Sequence, residues 1–144
     1  MRTLLYNSAA RGTGQYVRSM KIAEFITSSV PGSSCRILAG NGIVERSLPR
    51  NTDVVALPQI LKSVDGTYLL RSCDEHPFIS DPASIKKAFA VRRQIIDSTI
   101  DLYAPDIFLV DDLTGEICTK WNERESTWRK HGSCPSRGTS QSKS

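Results

Sequence analysis

A short apolar run near residue 110 constrains the fold more than any other feature of this chain. Ile107 to Val110 are four consecutive apolar residues, bounded by Pro105-Asp106 before them and Asp111-Asp112 after them. A helix cannot begin and end within that space, so the run predicts a buried parallel strand. Parallel strands are joined by crossover connections, usually helices, which indicates an α/β protein.

The preceding segments alternate between strand-like and helix-like patterns. Short apolar runs predict strands, and apolar residues spaced three or four apart predict helices. Asp81 followed by Pro82 is a typical helix start. Residues 59–80 are interpreted as irregular, with a turn at Asp65-Gly66. The predicted elements before residue 105 are strands at Thr3–Tyr6, Cys35–Ala39 and Asp53–Pro58, and helices at Gln15–Ser29 and Pro82–Tyr103.

Together these elements predict a Rossmann-like parallel sheet of about four strands with strand one at its centre and helices on both faces. We expect this incomplete Rossmann-like domain to occupy residues 1–117. Residues 119–144 contain no Leu, Ile, Val or Phe. Such a segment cannot supply a core face, so residues 118–144 are predicted to form a polar, disordered tail.

Charge and composition exclude several classes of protein. Residues 1–112 contain 13 Lys and Arg against 12 Asp and Glu, whereas residues 113–144 contain six against three. The positive charge is thus concentrated in the tail rather than in the folded part, which argues against nucleic-acid binding. The four cysteines form no C-x-x-C pair, and Cys35 reads as a core residue. No stretch could serve as a signal peptide or span a membrane, so we expect a cytoplasmic protein, with peripheral membrane contact left open.

A glycine-rich loop lies between the first predicted strand and the first helix. In Gly12-Thr13-Gly14 the glycines allow close backbone approach, and the helix start favours an anion. Arg18, one turn later, could add a charge-assisted bond to a phosphate or carboxylate. A dinucleotide fingerprint is not complete, because Val17 replaces its third glycine and no acidic residue ends strand two. A tight turn without any ligand remains the plainer alternative.

Three segments, in this order and spacing, resemble the start of a bacterial predicted glycosyltransferase group with a GT-B fold, distantly similar to the MurG acceptor domain. The resemblance covers about residues 1–117. The segments are Gly12 to Ser19, Tyr68 to Ser72 and Tyr103 to Asp111.

The resemblance implies an acceptor-side domain, with Gly12, Thr13 and Gly14 at the acceptor diphosphate and Arg18 nearby. The acceptor would be an anionic or hydroxyl compound. No cofactor is expected on this chain, because the nucleotide-sugar donor of the family binds a separate C-terminal domain, usually without metal. Gln15 stands where relatives often have His, and an amide can orient a hydroxyl but cannot take up its proton. After the predicted strand from Ile107 to Val110, the sequence no longer follows the pattern of these relatives. We therefore expect the chain to be a truncated or frameshifted product that is inactive alone.

Asp111 is the candidate catalytic residue, because it follows a parallel strand at the edge where open α/β sheets bind ligands. A helix cap or turn role is the commoner use of such an aspartate. Arg71 could reach an anionic acceptor or be an ordinary surface residue. The two histidines, His76 and His131, support neither a catalytic set nor a metal site. The alternatives to an enzyme domain are a non-catalytic fragment and a small module that binds a phosphorylated ligand.

Overall fold

The protein folds around parallel strands whose connections contain the helices. The structure, a computed structural model, describes residues 1–8, 14–40, 47–71 and 78–110. Its elements in chain order are β1 (Arg2–Asn7), α1 (Gly14–Ser29), β2 (Ser34–Ala39), β3 (Thr52–Ala56), β4 (Ile60–Lys62), β5 (Tyr68–Leu70), α2 (Pro82–Tyr103) and β6 (Ile107–Val110).

Four of the strands form one parallel sheet in the order β3-β2-β1-β6. β1 lies between β2 and β6, so that Leu4 is paired with Arg36 on one side and with Phe108 on the other. The predicted parallel sheet of four strands with strand one in an inner position is therefore confirmed.

The two helices cover opposite faces of this sheet. Alternate side chains of a strand point to opposite faces, and those of β1 pack in two different cores, one for each helix. Leu4 and Tyr6 pack with Ile96 and Ile100 of α2. Leu5 packs with Tyr16 and other residues of α1. β1 is buried from Thr3 onward, as expected for a central strand with both faces covered.

Helix α2 has the bounds that the sequence predicts, and each end has a local cause. The Asp81 carboxylate accepts a hydrogen bond from the Ser84 backbone N–H at 3.0 Å, and Pro82 is the first helical residue. At the other end Ala104 takes a left-handed conformation with φ 46°, and its N–H donates to the Ile100 carbonyl. This cap turns the chain into β6, which begins three residues later.

Residues 59–71 and 78–80 are more ordered than the sequence predicts. β4 and β5 pair as an antiparallel hairpin, and Ile79 forms an isolated bridge to Leu70. The predicted turn at Asp65-Gly66 is confirmed, since Gly66 has φ 88° and the Asp65 carboxylate accepts from the Thr67 N–H at 2.9 Å. The interpretation of this segment as irregular was wrong, because its three-residue strands are too short to show periodicity.

Three apolar residues are more exposed than the sequence patterns predict. β6 is parallel as predicted but only partly buried, because Ile107 and Leu109 are 38% and 41% exposed. These residues share the face covered by α1, and α1 packs on β1 and β2 rather than on β6. Phe25, an apolar residue of α1, is 70% exposed. Apolar spacing identifies the face of a helix but not how far a neighbouring element extends over it.

Candidate functional site: the carboxyl edge of the sheet

The strand order reverses beside β1, and this defines the candidate site. From β1 the chain moves through α1 to β2 and then β3, whereas α2 carries it back across to β6 on the other side of β1. In open α/β sheets, ligands bind outside the carboxyl ends of the strands at such a reversal. This rule puts the candidate site, which we call the crevice, beyond Asn7 of β1 and Val110 of β6.

Buried polar groups lie at the end of β1, next to this candidate site. Asn7 and Ser8 are 0% and 3% exposed. The Asn7 side chain donates to the Ser19 hydroxyl of α1 at 3.4 Å, and the Asn7 carbonyl accepts from the Gly40 N–H at 3.1 Å. The Asn7 side-chain oxygen has no hydrogen-bond partner among the described residues. Polar residues thus continue β1 at a position where a purely structural strand end would need none.

Helix α1 begins at Gly14, on the edge reached by the loop that follows β1. Its first turn contains no acidic residue, so no side-chain carboxylate of that turn competes for the N–H groups at the helix start. Gln15 is half-buried, and Arg18 is exposed one turn along. Residues four apart share a helix face, so Arg18 lies on the same side of α1 as Gly14. Gly14, Gln15 and Arg18 thus all lie at the start of α1, and their role in binding a ligand stays a prediction.

Gly14 differs from the other glycines of the fold in having no structural requirement that can be seen. Its backbone is not left-handed, and apart from its chain neighbours and the backbone of its own helix no heavy atom of the described residues lies within 4 Å of where a Cβ would be. Neither strain nor packing among the described residues therefore requires a glycine. Close approach of a ligand to the backbone is a remaining reason for one.

Several predicted residues lie outside the described part of the chain. Gly12 and Thr13 of the loop are among them, and so is Asp111, the candidate catalytic residue. Its chain neighbour Val110 is the last described residue and pairs with Tyr6 of β1. Arg71 is described, but it belongs to the hairpin, where its guanidinium donates to the Gln59 side chain at 3.5 Å. The predicted tail, residues 118–144, also lies outside the described residues.

Sequence reasoning missed a second group at this edge, on the α2 face of the sheet. Arg92 is 3% exposed and donates to the Pro58 carbonyl at 2.7 Å and to the Tyr6 hydroxyl at 3.0 Å. A methyl group built on Gly40 would lie 3.0 Å from the same guanidinium. The ends of β1, β2 and β3 therefore converge on one arginine.

A signal for this arginine is present in the sequence. Ala88, Arg92, Ile96 and Thr99 follow one another at spacings of three and four, and all four are buried. Arg92 thus occupies an apolar position of the α2 stripe, where a charged residue is unusual. An arginine within an apolar stripe is the pattern that would have identified it.

The described residues at this edge offer groups for recognition rather than for proton transfer. Asn7, Ser8 and Gln15 supply side-chain amides and a hydroxyl, Arg18 and Arg92 supply guanidinium groups, and none of these described residues supplies a carboxylate or an imidazole. Burial raises the pKa of the Tyr16 phenol, which therefore stays protonated. Within the described ranges no group of three or more His, Cys, Asp or Glu could hold a metal ion.

Comparison with known protein families, with curated proteins and with solved structures finds no match for this chain. Of the two described helices, neither combines the length and apolar character needed to cross a membrane.

Proposed function

We propose that this chain is the acceptor-side domain of a GT-B glycosyltransferase and that the crevice between β1 and β6 binds the acceptor. The observation that carries the proposal is the reversal of strand order at β1, with α1 beginning at the same edge. The ordered resemblance to the bacterial predicted glycosyltransferases supports it, because their glycine-rich loop occupies the corresponding place in the chain.

The start of α1 would hold a diphosphate or another anion. Backbone N–H groups at a helix start and the helix dipole favour negative charge. Gly14 leaves the backbone accessible, and the Arg18 guanidinium would add a charge-assisted bond. In the proposal Gly12 and Thr13 complete the cradle.

The remaining roles follow from the chemistry of the residue types. Gln15 would orient an acceptor hydroxyl, and Asp111 would assist its deprotonation. The sugar would come from a nucleotide-sugar held by a separate donor-binding domain. We place the protein in the cytoplasm, where a buried free thiol such as Cys35 is usual.

Calorimetric titration of the full chain with pyrophosphate, uridine diphosphate and uridine tests this proposal. An acceptor-side domain should bind pyrophosphate, should bind uridine diphosphate no more tightly, and should not bind uridine. Gly14→Ala should weaken pyrophosphate binding by roughly tenfold, about the effect of losing one charge-assisted hydrogen bond. Arg93→Met, which removes one exposed charge from α2, is the control and should bind like the wild type.

The other outcomes separate the alternatives. Binding of uridine itself would indicate a nucleotide site and would contradict the acceptor-side assignment. A further titration compares orthophosphate with geranyl diphosphate, which carries an organic group. Equal affinity for the two would favour a small phosphate-binding module, because an acceptor site should gain affinity from the organic group. Absence of pyrophosphate binding would remove the functional proposal and leave only the fold.

A further inference from the structure

Arg92 places a positive charge inside the protein, and no carboxylate of the described residues forms an ion pair with it. Its two hydrogen bonds go to a peptide carbonyl and to a phenol hydroxyl, both of which are uncharged. Its Nε is buried and has no hydrogen-bond partner among the described residues. Removing a guanidinium from water costs several kcal/mol unless the charge is paired. A buried polar atom left without a partner calls for an explanation.

The position of this charge suggests the explanation. Tyr6 is the second-last residue of β1, Gly40 follows β2, and Pro58 lies two residues beyond β3. The guanidinium therefore lies at the carboxyl edge of the sheet and not at its middle or at its amino edge. Charges held in a water-poor interior are screened much less by salt than charges on the surface. A ligand at this edge would experience the Arg92 charge even without touching it.

We propose that Arg92 is the residue that makes the crevice select an anion, acting as a fixed positive charge beneath it. The inference rests on the proposed function, in which the crevice binds an anionic ligand. It assigns the crevice's preference for anions to Arg92, a residue outside the glycine-rich loop. Arg92 is a positioning residue and not a ligand-contacting one. Its buried guanidinium donates to Tyr6 and to the Pro58 carbonyl, and its charge acts on the ligand through space.

A purely structural role makes a different prediction. If Arg92 serves only to fasten the chain after β3 to β1, an apolar residue of similar length should change stability but not the preference for anions. Replacing buried ionic groups by apolar residues is often neutral or stabilising. Arg92→Met therefore tests whether the positive charge is needed for anion binding. Arg92→Lys keeps the charge without the planar fork of the guanidinium. Arg93→Met is the control for the loss of one exposed charge on the same helix.

The experiment measures pyrophosphate binding and thermal unfolding for the wild type and these three variants. We expect Arg92→Met to bind pyrophosphate roughly tenfold more weakly, because the substitution removes one positive charge that salt screens only weakly. Arg92→Lys should regain most of the affinity, and Arg93→Met should be unchanged. Circular dichroism spectra should show that each variant is folded at the titration temperature.

Equal pyrophosphate affinity of wild type and folded Arg92→Met would overturn this inference and leave the proposed function intact. Absence of binding by the wild type would instead remove the proposed function. If Arg92→Met does not fold, the Lys variant decides the matter. Weakened pyrophosphate binding by a folded Arg92→Lys, which keeps the positive charge but loses the planar fork, together with loss of binding in Tyr6→Phe, would assign the effect to the hydrogen-bond geometry and refute the role of the charge.

Discussion

Gly40 is the residue whose substitution most directly tests the packing of the carboxyl edge. A Cβ at this position would lie 2.1 Å from the Ser8 carbonyl oxygen, 2.8 Å from its carbon and 3.0 Å from the Arg92 guanidinium. Two of these atoms belong to the backbone at the end of a central strand, so they cannot rotate away. Gly40→Ala must therefore displace β1, β2 or both by roughly an ångström. We accordingly expect a loss of stability at the upper end of the range that overpacked cores show.

Overpacking of a core usually costs about 1–3 kcal/mol, and we expect Gly40→Ala to cost about 3 kcal/mol. In a domain of about 100 residues, each kcal/mol lowers Tm by roughly 4–8 °C, so the transition should fall by roughly 12–24 °C. The matched control is Gly14→Ala, where a Cβ has open space and the change should stay within about 0.5–1 kcal/mol. Thermal unfolding followed by circular dichroism measures both, and a Gly40→Ala transition within about 3 °C of the wild type would refute the reasoning.

Three further predictions concern stability and reactivity. The hydrogen bond from the Ser84 N–H holds the pKa of Asp81 below its ordinary 3.8. The ionised carboxylate therefore stabilises the fold above that pH, and this contribution is lost as the pH falls through the lowered pKa. Asp81→Ala should lower Tm at pH 6 and weaken the dependence of Tm on acid pH, and an unchanged Tm profile would contradict the capping role of Asp81. Burial raises the pKa of the Cys35 thiol, so iodoacetamide should label it only in denaturant, as peptide mass spectrometry would show; labelling of the native protein would contradict its burial. Ile100→Ala should cost about 2–5 kcal/mol in urea unfolding, whereas Leu102→Ala, at a residue that is 85% exposed, should cost less than about 0.5 kcal/mol, and equal losses would refute the assigned helix face.

Strong local signals allowed most of the fold to be predicted from the sequence. The start of α2 depends on Asp81 and Pro82, whose capping roles are intrinsic to those residue types. The parallel character of β6 depends on the short apolar run from Ile107 to Val110. Neither inference required knowledge of what lies elsewhere in the chain.

The features that were missed depend on neighbours that no local pattern contains. The half-exposure of Ile107 and Leu109 depends on how far α1 extends over the sheet. The need for glycine at position 40 arises because two strand ends meet there, and no local pattern shows that meeting. Gly14 was identified through its motif, and Asp111 through its place after β6, but a ligand role for either stays a prediction.

The central claim, that the crevice between β1 and β6 binds an anion at the start of α1, is tested most directly by nuclear magnetic resonance. The ¹⁵N-labelled chain is titrated with pyrophosphate, and amide shifts are followed residue by residue. The account predicts saturable shifts centred on Gly14, Gln15 and Asn7, with α2 residues beyond Ile96 unmoved. Shifts centred on the amino-terminal edge of the sheet, or on the β4–β5 hairpin with Gly14 unmoved, would contradict it.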